Sequence, residues 1–218
     1  MPRALFEKTG GAVWISHLDL MRLFQRGFQR AGVPLRHTQG FTPRPIVSIA
    51  LPLSVGVESL CELLDFSLEG EGSLPEGLAE RLNAKLTPGI RVREIYEGGK
   101  KIGDLAELSC QILLEYDRGV PKEAEKALTA LFARDSLPVE RKTKSGPQEQ
   151  DIAPMLRSLS VRREGERLAL DARVCCQNPT LNPVQLVRAV ERYCPEYAPD
   201  FFRCRRLEIY DKHGEVFR

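Results

Sequence analysis

The stretch SHLDLMRLFQRGFQRA, residues 16–31, decides how the first half of the chain folds. From Leu18 to Ala31, apolar residues recur at helical spacing, which predicts an amphipathic helix that ends before Gly32 and Pro34. One face of this helix is apolar or small throughout: Leu20, Phe24, Gly27, Phe28 and Ala31. A helix with one such face has to bury it, and a sheet is the natural partner.

Predicted strands flank this helix on both sides. They cover Ala4–Glu7 with Ala12–Ile15, Ile46–Leu51, Cys61–Leu68 and Ile90–Tyr96, and a second helix covers Leu74–Leu86. Pro75 lies near the first position of that second helix, where its missing N–H has no cost. The resulting order, βαββαβ, is that of the ferredoxin-like fold.

A glycine-rich linker, residues 98–103, precedes a second run of the same pattern. The predicted elements are the strand Leu105–Tyr116, the helix Pro121–Ala133, the short strand Leu137–Arg141, the hairpin Ile152–Arg162 with Arg167–Cys175, the helix Asn182–Tyr193 and the strand Phe201–Tyr210. Asn182 and Pro183 supply an N-cap and a first helical residue. We therefore predict an α+β protein of two tandem ferredoxin-like (βαββαβ) repeats, over residues 1–97 and 104–218.

The nearly equal numbers of basic and acidic residues predict no strong electrostatic field around the protein. The chain has 218 residues, with Lys+Arg 32 against Asp+Glu 30 and a net charge of +2, so any nucleic-acid binding must come from local patches. The N-terminus has no apolar signal core, and the longest uncharged run, residues 45–57, is too short to span a bilayer. These features predict a cytoplasmic protein with no membrane partner.

Six cysteines are spread along the chain without metal-ligand spacing: Cys61, Cys110, Cys175, Cys176, Cys194 and Cys204. In a reducing compartment they are expected to be small buried residues. The last four could in principle gather around a metal, but neighbouring residues of a strand face opposite sides, and Cys175 and Cys176 are neighbours. We expect no metal site.

Ser16, His17 and Asp19 stand together at the start of the first helix, as if for a hydrolase triad. A triad needs side chains that converge from different elements. Ser16 and Asp19 instead have the spacing of a capping box, which satisfies free N–H groups of the first helical turn. His17 has no evident structural task at an exposed helix start, and it stays a candidate general acid or base.

The same helix carries a cationic stripe of Arg22, Arg26 and Arg30 at every fourth residue. A solvated helix face normally mixes charges of both signs. The stripe therefore indicates either an anionic partner or pairing with acidic residues elsewhere in the fold.

A proline-stiffened connection, residues 36–45, follows this helix. Gly40 permits a turn, Pro43 favours extended backbone, and Phe41 with Arg44 could stack on and hold a nucleotide. The alternative is a structural connector with Phe41 in the core. The topology places His17 near the 52–59 turn and Arg44 at the other end of the sheet, which favours an extended surface over one pocket.

The corresponding connection of the second repeat is a long loop, residues 140–151, which is basic at its start. Lys142 and Lys144 are its candidate binding residues. A solvated loop without a function is the alternative.

Several ordered motifs resemble the bacterial radical-SAM-linked protein family. They are SHLD at 16–19 with Arg22 and Arg26, GFTPRP at 40–45, and LPLSVGVES at 51–59. The resemblance is dense over residues 3–68 and looser beyond them, where Lys142, Lys144 and residues 151–154 look like the family's second block. Members occur fused to, or encoded beside, a radical SAM protein with a cobalamin-binding-type domain.

This resemblance implies a radical SAM protein as the partner of the chain. The partner would carry the iron–sulfur cluster, SAM and cobalamin. The chain itself lacks the three-cysteine motif for such a cluster, so we expect no cofactor in it. Genes of this family usually lie near genes with RNA-processing functions, so the resemblance makes structured RNA the expected substrate.

Three functions follow from these observations. The first is an accessory protein that binds RNA, or another anionic substrate, for the radical SAM enzyme. The second is an RNA-processing enzyme of the RAMP type, also built from tandem ferredoxin-like repeats, with His17 as general acid or base and Lys142 or Lys144 stabilising charge. The third is a protein-interaction subunit that docks its partner through the apolar turn at residues 51–57. In the first of these functions the chain binds a substrate and has no catalytic activity of its own.

Overall fold

The computed structural model describes residues 1–70, 74–143 and 146–218. They form two compact units, of which the first comprises residues 1–103 with Arg218 and the second residues 104–217. Both units combine α-helices with mostly antiparallel sheet, so the predicted α+β class is confirmed.

The first unit contains four strands and two α-helices among its described residues. In chain order they are β1 (Arg3–Lys8), α1 (His17–Arg30), β2 (Val47–Ala50), β3 (Val57–Phe66), α2 (Leu78–Asn83) and β4 (Ile90–Tyr96). The sheet order is β4–β1–β3–β2, and every neighbouring pair is antiparallel. Leu5 lies opposite Leu63, and Ile49 lies opposite Leu64, which fixes the register.

The predicted apolar face of α1 forms the centre of this unit's core. Leu20, Phe24 and Phe28 are buried, and Phe24 meets Phe6 of β1 edge to face with ring centroids 4.7 Å apart. Phe28 packs on Phe66 of β3 at 4.8 Å. Each buried phenylalanine contributes about 1.5–3 kcal/mol relative to exposure, so these contacts fix α1 firmly on the sheet.

The second unit contains six strands and two α-helices among its described residues. They are β5 (Leu105–Glu115), α3 (Ala124–Phe132), β6 (Pro138–Thr143), β7 (Gly146–Asp151), β8 (Leu156–Glu164), β9 (Arg167–Cys175), α4 (Val184–Tyr193) and β10 (Phe201–Asp211). Four strands form an antiparallel sheet in the order β8–β9–β5–β10, and β6 pairs with β7 separately. Alternate residues of β5 are buried, among them Cys110, Ile112 and Leu114.

Two predictions for the first unit were wrong in detail. Residues 10–14 form a short 3₁₀ turn instead of a strand. The ammonium of Lys8 donates to the carbonyls of Val13 at 3.2 Å and Ile15 at 2.9 Å, so these carbonyls are not paired with a neighbouring strand in the described part of the chain. β3 begins at Val57 and therefore includes the end of the predicted 51–59 turn.

The second predicted helix, Leu74–Leu86, is reduced to α2. Gly77 precedes α2 in a left-handed conformation, with φ of 63°, which ends any helix from the Pro75 side. At the other end the side chain of Asn83 donates to and accepts from the backbone of Val92, both at 2.8 Å. Asn83 thereby links the end of α2 to the edge strand β4.

The second unit contains a hairpin where the sequence predicted a loop. Residues 140–151 lie in the paired strands β6 and β7 or outside the described residues. Asp151 closes the base of this hairpin, since its carboxylate accepts from the Leu137 N–H at 2.7 Å and the Ser136 hydroxyl at 2.8 Å. The Leu137 N–H, followed by the Ser136 hydroxyl, lowers the pKa of Asp151.

The predicted cap of α4 was off by one residue, since Pro183 is the N-cap and Asn182 precedes it. The helix starts at Val184, and the Asn182 side chain accepts from the Val184 N–H at 3.2 Å. All six cysteines are buried, as predicted. Burial raises the pKa of Cys176 to about 11 and that of Cys204 to about 12. Within the described ranges no three His, Cys, Asp or Glu side chains gather as metal ligands, and no helix is both long and apolar enough to cross a bilayer.

Candidate functional site

The start of α1 has the Ser16 half of the predicted capping box. Ser16 is the N-cap, and its hydroxyl oxygen accepts from the Asp19 N–H at 3.2 Å while the hydroxyl donates to the Asp19 carboxylate at 2.7 Å. Arg22 completes the group with an ion pair to Asp19 at 3.1 Å. These hydrogen bonds, first from Ser16 and then from Arg22, lower the pKa of Asp19. Both charged side chains are mainly exposed, so the pair contributes little to stability.

His17 is the first residue of α1 and is half-buried, whereas the sequence placed it at an exposed position. Its Nδ1 atom is shielded from solvent and has no hydrogen-bond partner among the described residues.

Lys8 lies beneath this helix start and was missed by the sequence reasoning. Its side chain is buried, with 1% exposure, and burial lowers the pKa of its ammonium despite the nearby Glu62 carboxylate. A lysine at the end of a strand is ordinarily exposed, so no sequence signal marks it. Lys8 holds the 10–14 turn, which leads into Ser16 and His17.

The arginine stripe is divided between two environments. Arg22 and Arg26 are exposed, and Arg26 makes no hydrogen bond or ion pair to any described residue. Arg30 donates to the carbonyl of Lys85 at 2.8 Å, just beyond α2. Arg26 is therefore available to bind an anion, and Arg22 is available while it remains paired with Asp19. Arg30 is held by its hydrogen bond to the Lys85 carbonyl.

The connection after α1 closes into what we call the 36–46 hairpin, residues 36 to 46. The Thr38 N–H donates to Arg44 O at 2.9 Å, and the Ile46 N–H donates to Arg36 O at 2.8 Å. The Arg44 N–H also donates to the Thr38 hydroxyl at 3.1 Å. At its base the hairpin is tied to the end of β3, because Arg36 N–H donates to Ser67 O at 2.9 Å.

Phe41 stands at the centre of the five-residue tip of this hairpin and is fully exposed, at 110% of its reference area. The alternative that Phe41 fills the core is therefore wrong. Gly40, beside it, has φ of +130°, a conformation that L-residues rarely adopt, and it is surrounded by open space. Pro43 and Arg44 are exposed as well, and so are Arg36 and His37, which were not among the predicted binding residues.

Three exposed apolar side chains lie at or just before the start of α1 and in the adjoining 51–56 turn, and we call them the Trp14 patch: Trp14, Leu18 and Val55, exposed at 68%, 66% and 54%. The Trp14 ring lies over Gly56, where an added Cβ would come within 3.4 Å of it. The sequence carried one signal for this patch, since Leu18 is off the apolar face that runs from Leu20 to Phe28.

The two groups of residues lie at opposite ends of the first unit. β2 leads from the 36–46 hairpin to the 51–56 turn, whose Gly56 N–H donates to Val13 O at 2.9 Å beside the start of α1. His17 is therefore next to the 52–59 turn, as predicted, and Arg44 is remote from it. The structure brings together Ser16, His17, Asp19 and Arg22 at one end and Gly40, Phe41, Pro43 and Arg44 at the other.

The two candidate lysines belong to the second unit. Lys142 belongs to β6, and Lys144 lies outside the described residues. The neighbouring Arg141 is exposed on β6.

These features define an α+β protein with a cationic, aromatic-tipped hairpin and no metal-ligand cluster among the residues described. The family model described as "Uncharacterized protein conserved in bacteria (DUF2344)" matches residues 2–183, and the chain belongs to this family. No curated protein matches the chain. Among solved structures, a crystal structure of an unknown protein from Galdieria sulphuraria is similar at 11% identity and a TM-score of 0.26, over 94% of this chain and 96% of that one. So low a TM-score supports no argument about fold or function.

Proposed function

We propose that this chain is a substrate-recognition subunit that binds RNA and presents it to a separate radical SAM enzyme. The observation that carries the proposal is Phe41, a fully exposed phenylalanine at the tip of a closed hairpin with Arg36 and Arg44 at its sides. Leaving a phenylalanine in water forgoes about 1.5–3 kcal/mol of burial. An exposed aromatic with cations beside it is what stacking on a base and holding its phosphates requires.

The cations support an anionic ligand independently of Phe41. Arg26 is exposed and makes no hydrogen bond or ion pair to a described residue, and Arg22 shares only a solvent-exposed pair with Asp19. Such side chains can bind phosphates without breaking a buried interaction, and the binding would weaken as salt rises. Ser16 and Asp19 would act by fixing Arg22 and the helix start.

We also propose that each unit is a ferredoxin-like βαββαβ repeat. In unit 1 the sheet order β4–β1–β3–β2 supports this, and in unit 2 the order β10–β5–β9–β8 does so once the β6–β7 hairpin is treated as an insertion. Ferredoxin-like RNA-binding domains often stack bases on sheet aromatics. β3, with the sequence VESLCELLDF, lacks that aromatic pattern, so the hairpin takes over the stacking role.

The identity of the partner rests on the resemblance of the ordered motifs at 16–26, 40–45 and 51–59. The radical SAM protein would hold the iron–sulfur cluster, SAM and cobalamin, and this chain would work beside it in the cytoplasm. The chain's own contribution is binding and orientation of the substrate.

A second candidate function, a protein-interaction subunit that needs no nucleic acid, is favoured by the Trp14 patch. Its exposed apolar side chains and the adjoining 51–57 turn would contact an apolar surface of the radical SAM protein. The two functions are compatible, because the patch and the hairpin lie at opposite ends of the unit.

The nuclease alternative has less support. Its candidate acid or base, His17, is half-buried and remote from the 36–46 hairpin. General acid–base catalysis needs the proton carrier within hydrogen-bond reach of the reacting group. RNA held at the hairpin would reach His17 only by extending along the length of α1.

The experiment is a filter-binding measurement of total bacterial RNA by the purified protein at several salt concentrations. We expect salt-sensitive binding that weakens in an R22A/R26A/R44A variant. R118A/K122A/K126A is the matched control, because it removes the same charge from exposed positions of the second unit. Absence of binding at low salt would reject the RNA proposal, and cleavage of the bound RNA would favour the nuclease.

A further inference from the structure

We infer that the 36–46 hairpin binds an unpaired nucleotide, with one base stacked on Phe41 and the flanking phosphates held by Arg36 and Arg44. The inference rests on the proposed RNA-binding function and names the class of RNA that the site accepts: single strands, loops and bulges instead of continuous duplex.

The pairing within the hairpin places the two arginines on one face. His37 and Pro45 lie directly opposite each other, with Arg36 bonded to Ile46 and Thr38 bonded to Arg44 on either side. Because successive residues of a strand alternate between faces, Arg36 and Arg44 share a face. As diagonal neighbours their Cα atoms are about 7–8 Å apart, close enough for both cations to hold one short stretch of backbone.

The form of the tip selects for an exposed base. Phe41 is the only aromatic residue of the tip, residues 39–43, so the tip offers a single stacking surface. Bases in an A-form duplex are covered on both faces, and its deep major groove is too narrow for side chains to read. A duplex would have to extrude a base first, at a cost that an already unpaired base does not bear.

The two strands on either side of the tip are already closed before a ligand binds. The hairpin backbone is closed by hydrogen bonds of 2.8–3.1 Å, and Pro43 and Pro45 restrict the returning strand. A preorganised element loses less conformational entropy when its ligand binds.

The test compares an unstructured oligouridylate with a fully paired RNA duplex of equal length, at one low salt concentration. We expect the single strand to bind more tightly, and F41A to reduce its affinity about 5- to 150-fold while leaving the duplex affinity unchanged. F41W should retain single-strand binding. In a W14F/F41W variant the sole tryptophan is at position 41, and its fluorescence should be quenched by the single strand.

Equal affinity for the two RNAs, or single-strand affinity that F41A leaves unchanged, would overturn the inference. If R36A/R44A still weakened binding in that case, the proposed RNA function would stand without it. No binding of either RNA by the wild-type protein would overturn both. Unchanged thermal melting of F41A, expected for so exposed a side chain, excludes misfolding as the cause of lost affinity.

Discussion

Gly89 lies in a turn of the first unit that leaves no room for a side chain. Its carbonyl accepts from the Thr9 N–H at 2.8 Å, and its φ is +87°. A Cβ at this position would collide with the Thr9 carbonyl oxygen and come within 2.9 Å of the Ala12 Cβ. The turn before β4 therefore depends on glycine for both conformation and space.

We expect Gly89→Ala to lower the free energy of unfolding by about 1–3 kcal/mol, the usual cost of a strained backbone conformation. Urea denaturation followed by circular dichroism measures it. Gly103→Ala is the control, since no neighbouring atom lies within 4 Å of its added Cβ and its φ is not positive. Equal stability of the two variants would show that the Gly89 turn adapts freely.

The pKa of Asp19 gives a second prediction for single residues. The Ser16 hydroxyl and then Arg22 hold this pKa below its unfolded value of about 3.9. A carboxylate with a lowered folded pKa stabilises the protein above its unfolded pKa, and that contribution is lost as the pH falls through the folded pKa. Asp19→Asn removes the carboxylate.

We therefore expect D19N to melt at a lower temperature than wild type near neutral pH. The difference should shrink as the pH falls below about 4. Thermal melting of both proteins over that pH range measures it, and a difference that does not vary with pH would contradict the role of the charged carboxylate.

Among the elements, those with a strong period were predicted well from the sequence. α1 was expected over Leu18–Ala31 and spans His17–Arg30, because its cap, its apolar face and the glycine after it all indicate the same helix. β5 was expected over Leu105–Tyr116 and spans Leu105–Glu115, and β10 was expected over Phe201–Tyr210 and spans Phe201–Asp211. Elements fixed by distant contacts were not predictable: α2 is cut short where Asn83 bonds to β4.

The 36–46 hairpin yields a prediction at the scale of an element. Its rigidity depends partly on the hydrogen bond from the Arg44 N–H to the Thr38 hydroxyl. Thr38→Ala removes this acceptor and touches neither a cation nor the ring. Loss of one hydrogen bond of ordinary strength should lower single-strand RNA affinity about 2- to 10-fold.

Thr38→Ser retains the hydroxyl and is the matched control for this variant. Fluorescence anisotropy with a labelled oligouridylate measures both proteins. If T38A bound as tightly as T38S, the closed form of the hairpin would not matter for binding.

For the molecule as a whole, the sequence could single out a connection for its turn residues but could not say where its ring lies. Phe41 and Arg44 were selected because glycine and prolines shape their connection, yet the same pattern fits a buried or an exposed ring. Only packing decides between the two, and it leaves Phe41 outside. Lys8 escaped notice because its burial depends on carbonyls of a turn that the sequence assigned to a strand.

The central claim is that cations of the first unit hold an RNA backbone. The most direct measurement is the slope of log affinity against log salt concentration for a single-stranded RNA, in wild type, R36A/R44A and the exposed control R118A/K122A. Each phosphate contact with a single strand contributes about 0.7 to that slope, so R36A/R44A should lower its magnitude by about 1.4. The control should match wild type. Equal slopes for all three proteins, or wild-type affinity that does not change with salt, would contradict the claim.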